Sequence, residues 1–182
     1  MRDNNNVPVK AVGIVIDVEE QFQKEMELKN KASRDSLTGL YNKGITQQLI
    51  ENTILDRGTQ NHALILFDID DFKSVNDTFG HLYGDQLIAK IAGSIRAAVT
   101  SEETNAYRYG GDEFLMIIPD GTQEIAEDVI EKWRQVMKPI QKNSEIPVSA
   151  SVGYAVGKYE NIMELIEIAD QRMYKDKQLR RQ

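Results

Sequence analysis

His62-Ala63-Leu64-Ile65-Leu66-Phe67-Asp68-Ile69 is a continuous apolar run that ends in acid. It contains no Gly or Pro and is short for a helix, so it predicts a central strand buried on both faces. The chain continues Asp70-Asp71-Phe72-Lys73, so carboxylates crowd the end of that strand. In an extended chain Asp68 and Asp70 point to the same face. Carboxylates beside a buried strand cost free energy unless something compensates. A divalent cation such as Mg²⁺ compensates, because hard ions take carboxylate oxygens and keep waters or phosphate oxygens as their remaining ligands. Acids that cap a helix or close a solvated strand end explain the same residues. On this segment alone both readings stand.

Upstream, residues 1–10 (MRDNNNVPVK) form a polar tail, and residues 11–18 (AVGIVIDV) fit one short strand. Residues 19–34 (EEQFQKEMELKNKASR) lack Gly and Pro and are rich in strong helix formers. Their apolar stripe is thin: Val18, Phe22 and Met26 at four-residue spacing, with Leu28 and Ala32 beyond. Such a helix packs loosely on a domain or joins and dimerises domains, and two heptads do not define a coiled coil. Gly39 breaks the pattern. A helix resumes over 42–57, with Asn42 or Thr46 as its cap.

Downstream, Leu82, Leu87, Ile88, Ile91, Ile95 and Val99 predict a helix over 80–99. Residues 105–118 (NAYRYGGDEFLMII) read as two short strands joined through Gly110-Gly111. An amphipathic helix covers 123–138 and ends at Pro139. A strand over 146–156 and a helix over 161–178 complete the chain. The order helix, strand, helix, hairpin, helix, strand, helix predicts one mixed sheet with helices against it, an α/β (α+β) fold.

Composition narrows the function. The chain has 182 residues, 41% hydrophobic and 28% charged, with no Cys and a formal net charge of −7. A chain of this length buries about 70% of its unfolded surface and needs no staple. The lack of Cys excludes a disulfide scaffold, a zinc-thiolate site and a cysteine nucleophile. An acidic chain is a poor nucleic-acid binder, since phosphate contacts need clustered Lys and Arg. A polyphosphate would therefore be held through a divalent cation. The longest early apolar run, Ala11 to Ile16, is too short to span a membrane and lacks the flanks of a signal peptide. The expectation is a cytoplasmic fragment with no membrane contact of its own, whose parent protein is compatible with a membrane anchor.

A second acidic pair follows the glycines in Gly110-Gly111-Asp112-Glu113-Phe114. The glycines permit positive φ and let a ligand approach the backbone. In an ideal strand Asp112 and Glu113 face opposite ways. Two acidic strand ends that met would suit metal-assisted phosphoryl transfer, and a plain Gly-Gly turn with solvated acids explains the pair equally well. An EF-hand starting at Asp68 would need Gly and Glu where Lys73 and Phe79 stand, so that reading fails. Gly39-Leu40-Tyr41-Asn42-Lys43-Gly44-Ile45-Thr46 spaces its glycines like a phosphate loop, but Ile45 replaces the required Lys. Of the two histidines, His62 opens a strand, and His81 lies near the acids; a hydrogen-bonded structural role fits both.

These motifs together resemble the GGDEF domain, the catalytic module of diguanylate cyclases. Gly110-Gly111-Asp112-Glu113-Phe114 is the naming motif in full. Asp35-Ser36-Leu37-Thr38-Gly39-Leu40-Tyr41-Asn42 is similar to the family's opening motif. The run from Asp68 to Asp77, with Gly80-His81 and Gly84-Asp85, resembles its nucleotide-binding stretch, and Ala169-Asp170, Met173-Tyr174 and Lys177 resemble its final helix. The resemblance covers about residues 33–182, which puts the domain at 35–182 after a tail, strand and signalling helix over 1–34.

The resemblance implies a ferredoxin-like fold related to nucleotidyl cyclases and polymerase palms. It also implies an activity: two GTP condense into cyclic di-GMP and two pyrophosphates with Mg²⁺ or Mn²⁺, two ions per active site. Each domain of a homodimer holds one GTP. Asp68 and Asp112 would hold metal with the Ile69 carbonyl. Asn76 and Asp85 would read the guanine edge, with His81 nearby. Phe72 and Lys73 would approach the phosphates, Gly110 and Gly111 would line the substrate, and Lys177 and Arg181 would neutralise the triphosphate. Asp112 or Glu113 would assist deprotonation of the 3′-hydroxyl. The alternative is a silent domain that binds GTP and regulates a partner.

Two departures from the family pattern carry expectations. The Arg-x-x-Asp product-inhibition site reads Ser101-Glu102-Glu103-Thr104 here, which predicts no inhibition through it. The usual Gly-Arg-Asn tail is replaced around Arg180-Arg181, which puts the role of Arg181 in question. Residues 13–20 resemble the last strand of a PAS sensor domain running into its signalling helix, so an upstream sensor in cis is expected.

Overall fold

β1 (Asn61–Ile69) lies inside a four-stranded sheet of order β2-β3-β1-β4, where β2 is Asn105–Arg108, β3 Glu113–Pro119 and β4 Ala150–Lys158. The computed structural model describes residues 19–55, 61–99, 104–144, 148–158 and 161–180. The expected central strand therefore stands: β1 pairs with β3 on one side and β4 on the other. All three pairings of named strands are antiparallel. The parallel component of the expected mixed sheet shrinks to an isolated bridge, Tyr41 to Tyr107, at the β2 edge.

Between β1 and β2 run α3 (Phe72–Phe79) and α4 (His81–Ala98); α5 (Gln123–Lys142) joins β3 to β4. This β-α-β-β-α-β order with antiparallel neighbours is the ferredoxin-like arrangement. α2 (Lys43–Leu55) precedes the sheet and α6 (Ile162–Arg180) follows it. Alternation along β1 divides the core. Ala63, Ile65, Phe67 and Ile69 pack with α4 and α5 residues such as Ile91 and Trp133. Leu64 and Leu66 pack on the other face with Leu165, Ala169 and Met173 of α6. The Trp133 indole meets Phe67 edge-on at 5.0 Å and donates to Ser94 Oγ at 3.0 Å.

Two local expectations change, and a third is narrowed to one of its alternatives. α3 is an element the sequence reading did not contain; the helix expected over 80–99 is α4, and Gly80, at φ 84°, divides the two. Pro139 does not end α5, which continues to Lys142. Proline removes one N–H there, but Trp133, Met137 and Ile140 keep that face packed on the core for another turn. Asn42 is the cap of α2: its Oδ1 accepts from the Ile45 N–H at 3.1 Å.

The chain divides into two units, Met1–Ala32 and Ser33–Gln182. The first contributes nearly all of α1 (Glu19–Ser33), whose stripe residues Phe22, Met26 and Leu28 are exposed. The expected strand over 11–18 and the PAS-like run before Glu19 lie outside the described residues. Among the described residues no helix is long and apolar enough to cross a membrane.

Candidate functional site

The two acidic turns meet at one end of β1. Register places Asp68 directly opposite Glu113 of β3 and Ser151 of β4. By alternation Asp68 follows Leu64 and Leu66, and Glu113 precedes Leu115 and Ile117, so both carboxylates project toward the α6 face. Asp112 closes the junction from the other strand, its carbonyl accepting from the Ile69 N–H at 3.1 Å. Lys177 reaches in from α6 and pairs with Asp68 Oδ1; their side chains are 22% and 15% exposed. Ile69 itself is fully buried by its side chain in the core.

The electrostatics reflect this crowding. Burial raises the Asp68 carboxyl above its ordinary range; the Lys177 hydrogen bond and charge oppose the rise, while Asp112 and Asp70 add to it. Burial also raises Glu113, and the charges of Asp68, Asp112 and Asp170 push it further, with Lys43 opposing. Mutually repelling carboxylates of this kind attract a cation. Among the described residues, however, no three acids converge into a closed metal cage. Asp68 and the neighbouring acids could hold a divalent cation that takes its remaining ligands from water and phosphate oxygens.

The glycine turn works differently from the sequence expectation. Neither Gly110 nor Gly111 adopts positive φ. Gly110 gives room to Glu113, whose side chain folds over it: a Cβ there would lie 2.3 Å from Glu113 Oε2. The Tyr109 and Gly110 N–H groups both bond the Glu113 carbonyl, at 2.9 and 3.1 Å, which closes the turn. Beside Glu113 a cavity of about 460 Å³ opens between β3 and α6, lined by Tyr109, Met163, Glu164, Glu167 and Asp170 among others.

The nucleotide-binding residues fall on α3 and α4. Phe72 opens α3 and its ring packs on the core, so only its backbone is free to face a phosphate. Lys73 is exposed in the first turn. No side chain caps α3: Asp71 precedes it at φ 52°, a left-handed conformation, and its carboxylate makes no cap hydrogen bond. Helix N–H groups without such a cap offer an anion site. Asn76 lies ~6 Å further along the helix, and its Oδ1 is buried with no hydrogen-bond partner. His81 and Asp85 are exposed on the first turns of α4. Arg181 and Ser101–Glu103 lie outside the described residues.

Several contacts that hold this site together were not read from sequence. Arg108 donates to Asp35 at 3.0 Å and to the Gly111 carbonyl at 2.7 Å. Asp35 also accepts from the Thr38 N–H and hydroxyl, at 2.9 and 2.7 Å. Asp70 accepts from Ser149 Oγ and Ser151 Oγ, at 2.5 and 2.6 Å, tying β4 to the exit of β1. The Asp-x-x-Thr spacing at 35–38 is a local turn signal. The partners of Arg108 and Asp70 are too distant in sequence to leave one.

Residues 32–182 match the family described as "Diguanylate cyclase, GGDEF domain". Over 157 residues the chain is 36% identical to the bifunctional diguanylate cyclase/cyclic di-GMP phosphodiesterase MucR of Pseudomonas aeruginosa, covering 81% of this chain and 22% of that protein. It is 36% identical over 163 residues to the diguanylate cyclase VdcA of Vibrio cholerae, covering 85% and 47%. The chain thus spans less than half the length of either relative. The crystal structure of the coiled coil and GGDEF domain of DgcB from Caulobacter crescentus, in complex with c-di-GMP, aligns with a TM-score of 0.73. Its identity is 26%, with 88% of each chain covered.

Proposed function

Because the chain belongs to the GGDEF family of diguanylate cyclase domains, we propose that it condenses two GTP into cyclic di-GMP and two pyrophosphates, as a dimer with one GTP per domain. The observation that carries this reading is the meeting of Asp68 and Glu113, which lie far apart in sequence, in register across β1 and β3 beside Lys177.

In this reading Asp68, Asp112 and the Ile69 carbonyl hold Mg²⁺ or Mn²⁺, which supplies charge stabilisation at the phosphoryl oxygens. Asn76 and Asp85 bind the guanine edge, an acceptor with a donor and a carboxylate suited to its N–H groups. Lys73 and Lys177 balance triphosphate charge, and Lys177 exchanges Asp68 for phosphate as the nucleotide arrives. Glu113, already raised in pKa, accepts the proton of the 3′-hydroxyl. The 3′-oxygen bonds to the α-phosphorus of the facing GTP, the bond to the β-phosphate oxygen breaks, and pyrophosphate leaves; the second half-reaction mirrors the first. Helix α1 and an upstream sensor set how the two domains face each other.

The alternative is a domain that binds GTP without turning it over and regulates a partner. One assay separates the two. Concentrated protein is incubated with GTP and Mg²⁺ or Mn²⁺, and cyclic di-GMP and pyrophosphate are quantified. Product that disappears in Asp112→Asn supports the cyclase. GTP binding without product at every protein concentration supports the silent domain and overturns the first reading.

A further inference from the structure

We infer that Gly84 is a positioning residue for base recognition: the side chain it lacks leaves the space in which the Asn76 amide is held. The inference rests on Asn76 reading guanine and adds the device that aims it.

Gly84 sits in the first turns of α4, buried, with its N–H on the Gly80 carbonyl at 3.2 Å. Its φ is not positive, so the backbone does not ask for glycine. Alanine is the better helix former at such a position, and local preference alone would not place glycine here. Space does. A Cβ on Gly84 would lie 2.0 Å from Asn76 Oδ1, 3.0 Å from Asn76 Cγ and 3.1 Å from Phe72 Cζ. The Phe72 ring is packed on the core and gives little. The Asn76 amide would have to rotate away.

What that rotation would destroy is visible in the same place. Asn76 Oδ1 is buried and accepts no hydrogen bond within the protein. That buried Oδ1 is turned into the space beside Gly84, so the amide nitrogen is the end left to meet a base. An amide N–H donates to the guanine O6, where adenine carries a donating amino group, so an amide held in this orientation favours guanine. The glycine fixes where that donor points, and so how sharply the site discriminates.

The test is a double-mutant cycle on the full chain, using Gly84→Ala, Asn76→Ala and the pair, with GTP and ATP affinities from calorimetry and melting temperatures recorded alongside. Wild type is expected to prefer GTP. Gly84→Ala is expected to lose about ten- to a hundredfold in GTP affinity, with ATP affinity unchanged and no fall in melting temperature. In the Asn76→Ala background the same glycine change is expected to cost nothing further. If Gly84→Ala alone fails to fold, the pair is expected to recover, because removing the amide removes the collision; a pair that also fails overturns the inference. It is equally overturned if Gly84→Ala binds GTP like wild type while Asn76→Ala does not, or if the two losses simply add. If Asn76→Ala itself keeps full GTP affinity, the guanine-reading role falls, and this inference with it.

Discussion

Arg108 and Asp35, 73 positions apart in sequence, form an ion pair of 3.0 Å with both side chains about four-fifths buried. The same guanidinium donates twice to the Gly111 carbonyl, at 3.1 and 2.7 Å. It thereby clamps the opening turn, Asp35 to Leu40, against the glycine turn that carries Asp112 and Glu113. Arg108→Ala would leave Asp35 without its counter-ion and the turn without its tether. The expected cost is about 1.5–3 kcal/mol of unfolding free energy, read from urea denaturation, together with reduced GTP turnover at temperatures where the fold persists. Turnover equal to wild type would show that the clamp is structural only.

Asp35 also predicts a pH dependence. Burial pushes its carboxyl up, but Thr38, through its hydroxyl and its N–H, and Arg108 outweigh burial, so the net shift is downward. A carboxyl lowered on folding contributes stability that is full above its unfolded pKa of about 3.9 and is lost as pH falls through the folded value. Wild type should therefore lose stability on acidification below about pH 4. Asp35→Asn should be less stable than wild type at pH 7, and the gap should narrow toward pH 3. Parallel stability–pH curves for the two proteins would contradict this.

How much of this was legible beforehand differs residue by residue, for physical reasons. β1 announced itself because a strand buried on both faces is apolar throughout, and its terminal acids marked the site. The carboxylate cluster was half legible: both acidic turns were visible, but their register across β1 and β3 is a tertiary fact. α3 was hidden because only eight residues, Phe72–Phe79, carry it, too few for a helical period to declare itself. Pro139 misled because burial of Ile140 outweighed the loss of one hydrogen bond. Gly110 misled because glycine suggests backbone freedom and here supplies room for Glu113; Gly84, read only as part of a motif, makes room for Asn76.

Lys177 should behave as a resident counter-ion for Asp68. With both side chains largely shielded, Lys177→Met would leave a carboxylate that burial and neighbouring acids already disfavour. The expected loss is about 1–3 kcal/mol in metal-free buffer. Saturating Mn²⁺ or Mg²⁺ should recover part of it, since a cation bound to the folded state stabilises by mass action. Thermal melts with and without metal read both effects. A variant as stable as wild type in chelator would mean the pair contributes nothing.

Glu113 should trade stability for chemistry. Burial, then the charges of Asp68, Asp112 and Asp170, raise its pKa on folding. For such a carboxyl the folded state holds its proton longer than the unfolded chain does, so stability declines as pH rises from the unfolded pKa through the folded one. Above that window the ionised group is a standing cost. Glu113→Gln removes the charge while keeping the shape that folds over Gly110. The variant is expected to gain about 0.5–2 kcal/mol at pH 7–8 in the absence of metal and to lose the advantage near pH 4, where wild type is neutral there too. Its cyclic di-GMP production is expected to fall at least about a hundredfold, the usual scale for removing a general base. Denaturation curves at the two pH values, paired with the product assay, test both halves: a destabilised Glu113→Gln at pH 8 would refute the electrostatic cost, and undiminished product would remove Glu113 from the chemistry.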